Sequence, residues 1–213
     1  MTGPNRFVHL VDDDEAVRRS ASLMLRGQRL IVRTYASGAA LLDGADALVP
    51  GCILLDVRMP DMDGLEVQAA LGDRGIVLPV IIMTGHGDIN LAVQAMKAGA
   101  VDFIEKPFGR ATLLSALEQG FAKLDRASRR RARGEDAARR LAALTRRERD
   151  VLQGLARGHP NKAIANALGI SPRTVEIHRA KLMSRLGVGS LSELLRLAFA
   201  AGLGENGDGD GQS

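Results

Sequence analysis

Five side chains in the first half of the sequence are of types that could do chemistry together: Asp12, Asp13, Asp56, Thr84 and Lys106. Each stands where an apolar run ends. Asp12 and Asp13 follow Phe7-Val8-His9-Leu10-Val11, Asp56 closes Ile53-Leu54-Leu55, Thr84 closes Pro79-Val80-Ile81-Ile82-Met83, and Lys106 closes the run from Val101. Three carboxylates crowded together repel one another unless a cation joins them. Hard oxygen ligands with room left for water suit Mg²⁺, which favours a few carboxylates plus phosphate oxygens. A lysine ammonium supplies a mobile point charge for a phosphoryl oxygen, and a threonine hydroxyl supplies a donor. The set therefore fits a phosphoryl group placed on Asp56, with its charge screened by metal and Lys106. A single Asp after a strand usually caps a turn, so the reading rests on convergence. No Ser/His or Cys/His nucleophile pair accompanies these residues.

The elements that must bring them together alternate in type. Strands are expected at 7–11, 31–35, 52–56, 79–84 and 101–106. Helices are expected at 15–26, from Ser37 through Ala47, at 65–71, after Asp88 as a cap, and at 110–122. The helix after Asp88 shows Ile89, Ala92, Val93 and Met96 at i, i+3, i+4 and i+7. Five β-α units in succession predict a doubly wound parallel sheet with helices on both faces. Ligands of such sheets bind at the carboxyl ends of the strands, where the strand order reverses.

Composition sets the outer bounds. A chain of 213 residues can form one large domain or two small ones. No apolar run approaches the length of a membrane span, and Asp12-Asp13-Asp14-Glu15 argues against a signal peptide. The single cysteine, Cys52, has no internal partner for a disulfide and reads as a small core hydrophobe. A cytoplasmic, non-membrane protein is expected. The net charge of +4 hides a division. Residues 1–122 carry 11 Lys/Arg against 15 Asp/Glu, while residues 123–213 carry 18 against 10. An acidic half joined to a basic half suggests two domains, the second with a polyanionic partner.

Val11-Asp12-Asp13-Asp14, Asp56 with Pro60 and Gly64, Thr84-Gly85-His86-Gly87 and Lys106-Pro107-Phe108 together resemble a bacterial response-regulator receiver domain. From Arg6 to Leu203 the chain is similar to the two-domain FixJ branch of that family. The resemblance implies a flavodoxin-like sheet of order 2-1-3-4-5, with Asp56 as phosphoacceptor. It implies Mg²⁺ held by Asp13 and Asp56, with Asp12 acting through water and the Arg58 carbonyl as a further ligand. It also implies a cis Lys106–Pro107 bond, a switch pair in Thr84 and Phe103, and a dimer surface including Val93, Met96 and Lys97. The implied partners are a sensor histidine kinase, a second copy of the chain when phosphorylated, promoter DNA and RNA polymerase.

The second half begins with an Arg- and Ala-rich stretch, 123–141, read as a partly helical linker with a solvated charged face. Thr145-Arg146-Arg147-Glu148 is a capping box opening a helix with Val151, Leu152 and Leu155 inward. A short helix from Lys162 to Leu168, the Gly169 turn, and a helix from Pro172 to Leu186 capped by Ser171 read as a helix-turn-helix. A fourth helix is expected from Ser192 to Ala201. On the third helix Val175, Leu182 and Leu186 should pack inward, with Arg173, Glu176, Ile177 and Ala180 opposite. Leu144-Thr145-x-Arg147-Glu148, Asn161-Lys162-x-Ile164-Ala165 and Thr174-Val175-x-x-His178 resemble the LuxR-type effector domain. That resemblance implies base-facing Glu176, Ile177 and Ala180, and backbone contacts from Thr174, Arg179 and Lys181, with Lys162 and Arg173 in the same DNA-binding set. Ala180 has no hydrogen-bonding group, so its readout is at most a methyl contact. His178 sits near the inward stripe and is expected to be a buried structural residue.

The expected domains are therefore 1–122, the linker 123–141, an all-α four-helix DNA-binding domain at 142–203, and a disordered Gly/Asp tail at 204–213. A Mg²⁺-dependent phosphatase is disfavoured because no second acid is placed to protonate a leaving group. A protein adaptor remains open on charge alone. RNA binding lacks stacking aromatics, since the basic half has only Phe199.

Overall fold

The computed structural model describes residues 6–85 and 89–203. The expectations for His86, Gly87, the Asp88 cap and the tail from Gly204 lie outside them. The chain divides into two units, the boundary falling between Arg126 and Ala127.

The first unit is a five-stranded, all-parallel sheet in the order β2-β1-β3-β4-β5. The strands are β1 Phe7–Val11, β2 Ile31–Tyr35, β3 Gly51–Asp56, β4 Val80–Thr84 and β5 Asp102–Glu105. The helices between and after them are α1 Glu15–Arg26, α2 Gly38–Asp43, α3 Gly64–Asp73, α4 Ile89–Lys97 and α5 Arg110–Ala142. The doubly wound architecture and strand order are those expected. β3 pairs with β1 on one side and β4 on the other, aligning Leu55 with Val11 and Ile82.

The alternation of side chains along a strand explains why this sheet needs two covers. Val8, Leu10, Cys52, Leu54, Ile81 and Met83 point to a core shared with α1 and the start of α5. Val11, Ile53, Leu55, Val80 and Ile82 point to the opposite core, with α2, α3 and α4. Every residue of β3 is buried, Cys52 among them. Burying one such leucine contributes roughly 1.5–3 kcal/mol, so both layers hold β3 in register.

Several boundaries differ from expectation for local reasons. α2 stops at Asp43 rather than Ala47, because Gly44 interrupts it and Ala45–Ala47 forms a separate 3₁₀ turn. α3 starts at Gly64, where Asp63 accepts from the Glu66 N–H and the Glu66 carboxylate accepts from the Asp63 N–H. Residues 123–142, expected as a partly helical linker, continue α5 without a break.

Among its described residues, the second unit contains the end of α5 and four helices: α6 Arg146–Ala156, α7 Asn161–Leu168, α8 Pro172–Leu186 and α9 Leu191–Ala200. Its core gathers Leu141, Leu144, Val151, Leu152, Leu155, Ile164, Val175, Leu182, Leu186 and Leu194. The α9 cap is Ser190, two residues before the expected start. No described helix is long and apolar enough to cross a membrane.

Candidate functional site

The sheet brings together four of the five side chains singled out for chemistry. Asp12 follows the last residue of β1, Asp56 ends β3, and Lys106 follows β5. The carboxylate oxygens of Asp12, Asp13 and Asp56 can lie within 4.8 Å of one another. Asp12 and Asp56 are buried and Asp13 is exposed. Lys106 Nζ bridges the two buried carboxylates, 2.6 Å from Asp12 Oδ2 and 2.9 Å from Asp56 Oδ2. The fifth, Thr84, ends β4 and is buried, with its hydroxyl donating to the Gly85 carbonyl at 2.9 Å. Lys106 N–H donates to the Thr84 carbonyl at 2.7 Å, which ties the two strand ends together. The Lys106–Pro107 peptide bond is cis.

The loop after β3 is held close to the phosphoacceptor candidate. Arg58 N–H is 3.4 Å from Asp56 Oδ1, a long contact, and Arg58 itself is exposed. Gly64 N–H donates to the Val57 carbonyl at 2.9 Å. A Cβ at Gly64 would come within 2.4 Å of the Asp56 carbonyl oxygen, so only glycine lets the loop close there.

Charge in this pocket is unbalanced. Burial raises the Asp56 pKa, Asp12 raises it further, and Lys106 opposes both. Burial acts to lower the Lys106 pKa, yet hydrogen bonds and attraction from Asp12 and Asp56 together leave it raised. Asp12 Oδ2 is buried against the Lys106 ammonium, and Asp12 Oδ1 accepts from the Asp14 N–H at 3.0 Å. Three carboxylates against one ammonium leave the pocket net negative. The donor set is hard oxygen throughout and fits Mg²⁺.

Phe103, on β5, is half-exposed, and α4 lies against β4 and β5. Val93, Met96 and Lys97 are exposed on α4. Gln68 of α3, which the sequence gave no reason to single out, donates to the Ala98 carbonyl at 2.9 Å and so holds the carboxyl end of α4.

In the second unit α7 ends at Gly169, whose φ of +63° makes the turn, and Ser171 caps α8 by accepting from the Thr174 N–H. Val175, Leu182 and Leu186 are buried. Arg173, Glu176, Ile177, Ala180 and Lys181 are exposed, as is Lys162 on α7. Thr174 and Arg179 are half-buried. Arg173 Nη1 pairs with Glu176 Oε2 at 3.0 Å, and Thr174 Oγ1 shares a hydrogen with Ser171 Oγ at 2.8 Å. His178 is half-buried rather than buried, because it stands at the edge of the inward stripe.

Not all the basic charge of this unit faces outward. Arg147 donates to the Leu168 carbonyl at the end of α7, Arg140 to the Leu186 carbonyl at the end of α8, and Arg185 to the Ala143 carbonyl. Cations at helix carboxyl ends satisfy orphan carbonyls and oppose the helix dipole. Arg185 Nη1 also meets the buried Glu148 Oε2 at 2.9 Å, joining α8 to α6. The capping box made Glu148 visible in sequence; its long-range partner left no local signal.

Residues 8–118 match the response regulator receiver domain, and residues 142–198 match the bacterial regulatory proteins of the luxR family. The chain is 46% identical over 196 residues to the transcriptional regulatory protein FixJ of Azorhizobium caulinodans, spanning 92% of this chain and 93% of that one. It belongs to the response-regulator family. Among solved structures, full-length FixJ from B. japonicum is 42% identical, with a TM-score of 0.59 over 94% of this chain and 98% of that one. The response regulator StyR is 38% identical, with a TM-score of 0.73 over 92% and 98%. This response regulator therefore joins a receiver unit to a LuxR-type DNA-binding unit, and its class is transcription regulation. A receiver implies a histidine kinase as partner; receivers typically bind Mg²⁺ at an acidic pocket, and Asp12, Asp13 and Asp56 form an acidic cluster here.

Proposed function

We propose that this chain takes a phosphoryl group from a sensor histidine kinase onto Asp56, dimerises, and binds promoter DNA in the cytoplasm to regulate transcription, with RNA polymerase as a further partner. The observation that carries this reading is the meeting of Asp12, Asp13, Asp56 and Lys106 at adjoining strand ends in a chain that also carries an exposed basic helix after a helix-turn. Asp56 is the nucleophile: a carboxylate oxygen forms the new bond to phosphorus as the bond to the donor nitrogen breaks. Asp13, Asp56 and the Arg58 carbonyl, with Asp12 beside them, would hold Mg²⁺, which would offset the carboxylate and phosphoryl charge when bound. Lys106 already touches Asp56 Oδ2 and can turn its ammonium to a phosphoryl oxygen. The Thr84 hydroxyl leaves the Gly85 carbonyl to donate to another such oxygen. Phe103 then moves inward from its half-exposed position, and the surface bearing Val93, Met96 and Lys97 becomes a symmetric contact. In the second unit Glu176, Ile177 and Ala180 face the bases, while Lys162, Arg173, Thr174, Arg179 and Lys181 neutralise or bond the backbone.

Incubation of the full chain with acetyl phosphate and Mg²⁺ should add one phosphoryl group by intact mass. Asp56→Asn should abolish it, and full incorporation in that variant would refute the assignment.

A further inference from the structure

The two acidic residues of the β1–α1 loop are fastened by their main chain as well as by their carboxylates. Residues 12–14 alone separate β1 from α1. Arg18, one turn into α1, folds back so that its Nη1 donates to the Asp12 carbonyl at 2.7 Å and to the Asp13 carbonyl at 2.8 Å. On the strand side, Asp12 N–H donates to the Tyr35 carbonyl at 3.2 Å. Asp14 N–H donates to Asp12 Oδ1 at 3.0 Å. One guanidinium nitrogen thus binds consecutive carbonyls, which fixes the peptide plane between Asp12 and Asp13. That plane sets the directions in which the two Cα–Cβ bonds leave the chain. Charge-assisted bonds of this length are among the stronger ones available to a loop.

We infer that Arg18 is a positioning residue for divalent-cation binding: by clamping the two carbonyls it aims the Asp12 and Asp13 carboxylates at the site beside Asp56. The inference rests on the Mg²⁺ reading of the pocket given above. Its sign separates it from simple electrostatics. A permanent positive charge close to a cation site repels the cation, so removing it should tighten binding. Removing a group that orients ligands from outside the coordination shell should instead weaken binding, by about ten- to a hundred-fold.

The test is titration of the full-length chain with Mg²⁺ in a calorimeter. Arg18→Met keeps the aliphatic stem and removes both hydrogen bonds; its affinity should fall by about ten-fold or more. Arg19→Met removes the same charge from the next, exposed position of α1 and should leave affinity unchanged or slightly tighter. Equal or tighter binding by Arg18→Met, or an equal loss in Arg19→Met, overturns the inference. Metal-free melting curves show whether each variant is folded. Should Arg18→Met not fold, Arg18→Gln is neutral and too short to bond both carbonyls from the same backbone position; it must bind more weakly than wild type, and wild-type or tighter affinity overturns the proposal. Asp13→Asn tests the underlying reading separately. If it binds Mg²⁺ as wild type does, or if wild type binds none, the pocket is not the metal site and the role of Arg18 falls with it.

Discussion

Replacing Glu148 should loosen the DNA-binding unit without touching the surface that meets DNA. Glu148 is buried on α6, and one oxygen, Oε2, accepts from Thr145 N–H at 2.9 Å, from the Thr145 hydroxyl at 2.8 Å and from Arg185 Nη1 at 2.9 Å. Glu148→Gln can place an amide oxygen at the same point and keep these donors paired. What it loses is the charge, which separates bonds of about 1.5–3 kcal/mol from neutral ones of about 0.5–1.5 kcal/mol, so a cost of about 1–2 kcal/mol is expected. Glu148→Ala removes every acceptor. Breaking a fully buried pair costs roughly 3–5 kcal/mol. The Arg185 side chain is 46% exposed and keeps water on one side. The pair term is therefore discounted to about 1–2 kcal/mol, and the lost cap adds roughly 1 kcal/mol. With the emptied space added, about 2–4 kcal/mol is expected for the alanine variant. Linkage gives a second signature. The Thr145 N–H bond, ahead of Arg185, holds the Glu148 pKa below its ordinary value. Its stabilisation is therefore present above about pH 4.3, the unfolded carboxylate value, and is lost as pH falls through the lower folded value. Hydrogen exchange read by mass spectrometry on peptides of α6 and α8, under increasing urea, isolates this unit from the receiver. A glutamine variant as damaging as alanine, or an alanine variant within about 0.5 kcal/mol of wild type, would refute the reasoning.

Gly64→Ala should destabilise the receiver by roughly 1–3 kcal/mol or more and slow Asp56 phosphorylation, because the new Cβ meets backbone at 2.4 Å; melting curves and acetyl phosphate kinetics measure both. His9 is buried, with Nε2–H donating to the Val49 carbonyl and Nδ1 accepting from the Tyr35 hydroxyl, and burial lowers its pKa. The unfolded chain therefore takes up the proton first, and receiver stability should fall as pH drops below about 6.5, a dependence that His9→Phe should remove from urea melts. Lys181→Ala should weaken binding to all DNA sequences alike and reduce the salt slope by about one, whereas Glu176→Ala should relax specificity by roughly 1–3 kcal/mol at one position per half-site in a binding selection.

The fold was legible because its signals are local and repeated. Five apolar runs separated by helical periodicity define the sheet, and Ser37, Thr145 and Ser171 each accept the N–H they are suited to accept. The grouping of these side chains was legible because strand ends in such a sheet converge, so Asp12, Asp56 and Lys106 could be joined on paper before any distance was known. α5 was read too short. Ala and Arg favour helix throughout 123–142, and Arg131 pairs with Glu135 one turn on, but the charged stretch reads as a partly helical linker rather than as a continuation of α5. In the structure a Cβ at Gly134 would lie 3.1 Å from the Ala200 carbonyl, so the glycine serves close packing of α5 on α9 rather than a hinge. A glycine does not state in sequence which of these it serves.

Much of what sequence did not reveal is of one kind: a long cationic side chain bonded to backbone carbonyls elsewhere. Arg18 on Asp12 and Asp13, Arg140 on Leu186, Arg147 on Leu168 and Lys123 on Gly99 all belong to it. Every residue offers a carbonyl, so no pattern of residue types marks the acceptor, and the basic residue reads as one more surface charge. The error has a consequence for function. Counting all Lys and Arg of the second half as polyanion contacts overstates the face available to DNA, because Arg140, Arg147 and Arg185 bond helix ends or Glu148. Replacing one of these three should therefore lower DNA affinity through helix placement, with a matching loss of stability and little change in salt slope. Lys162 and Lys181, exposed on α7 and α8, should behave oppositely: the salt slope changes and stability does not.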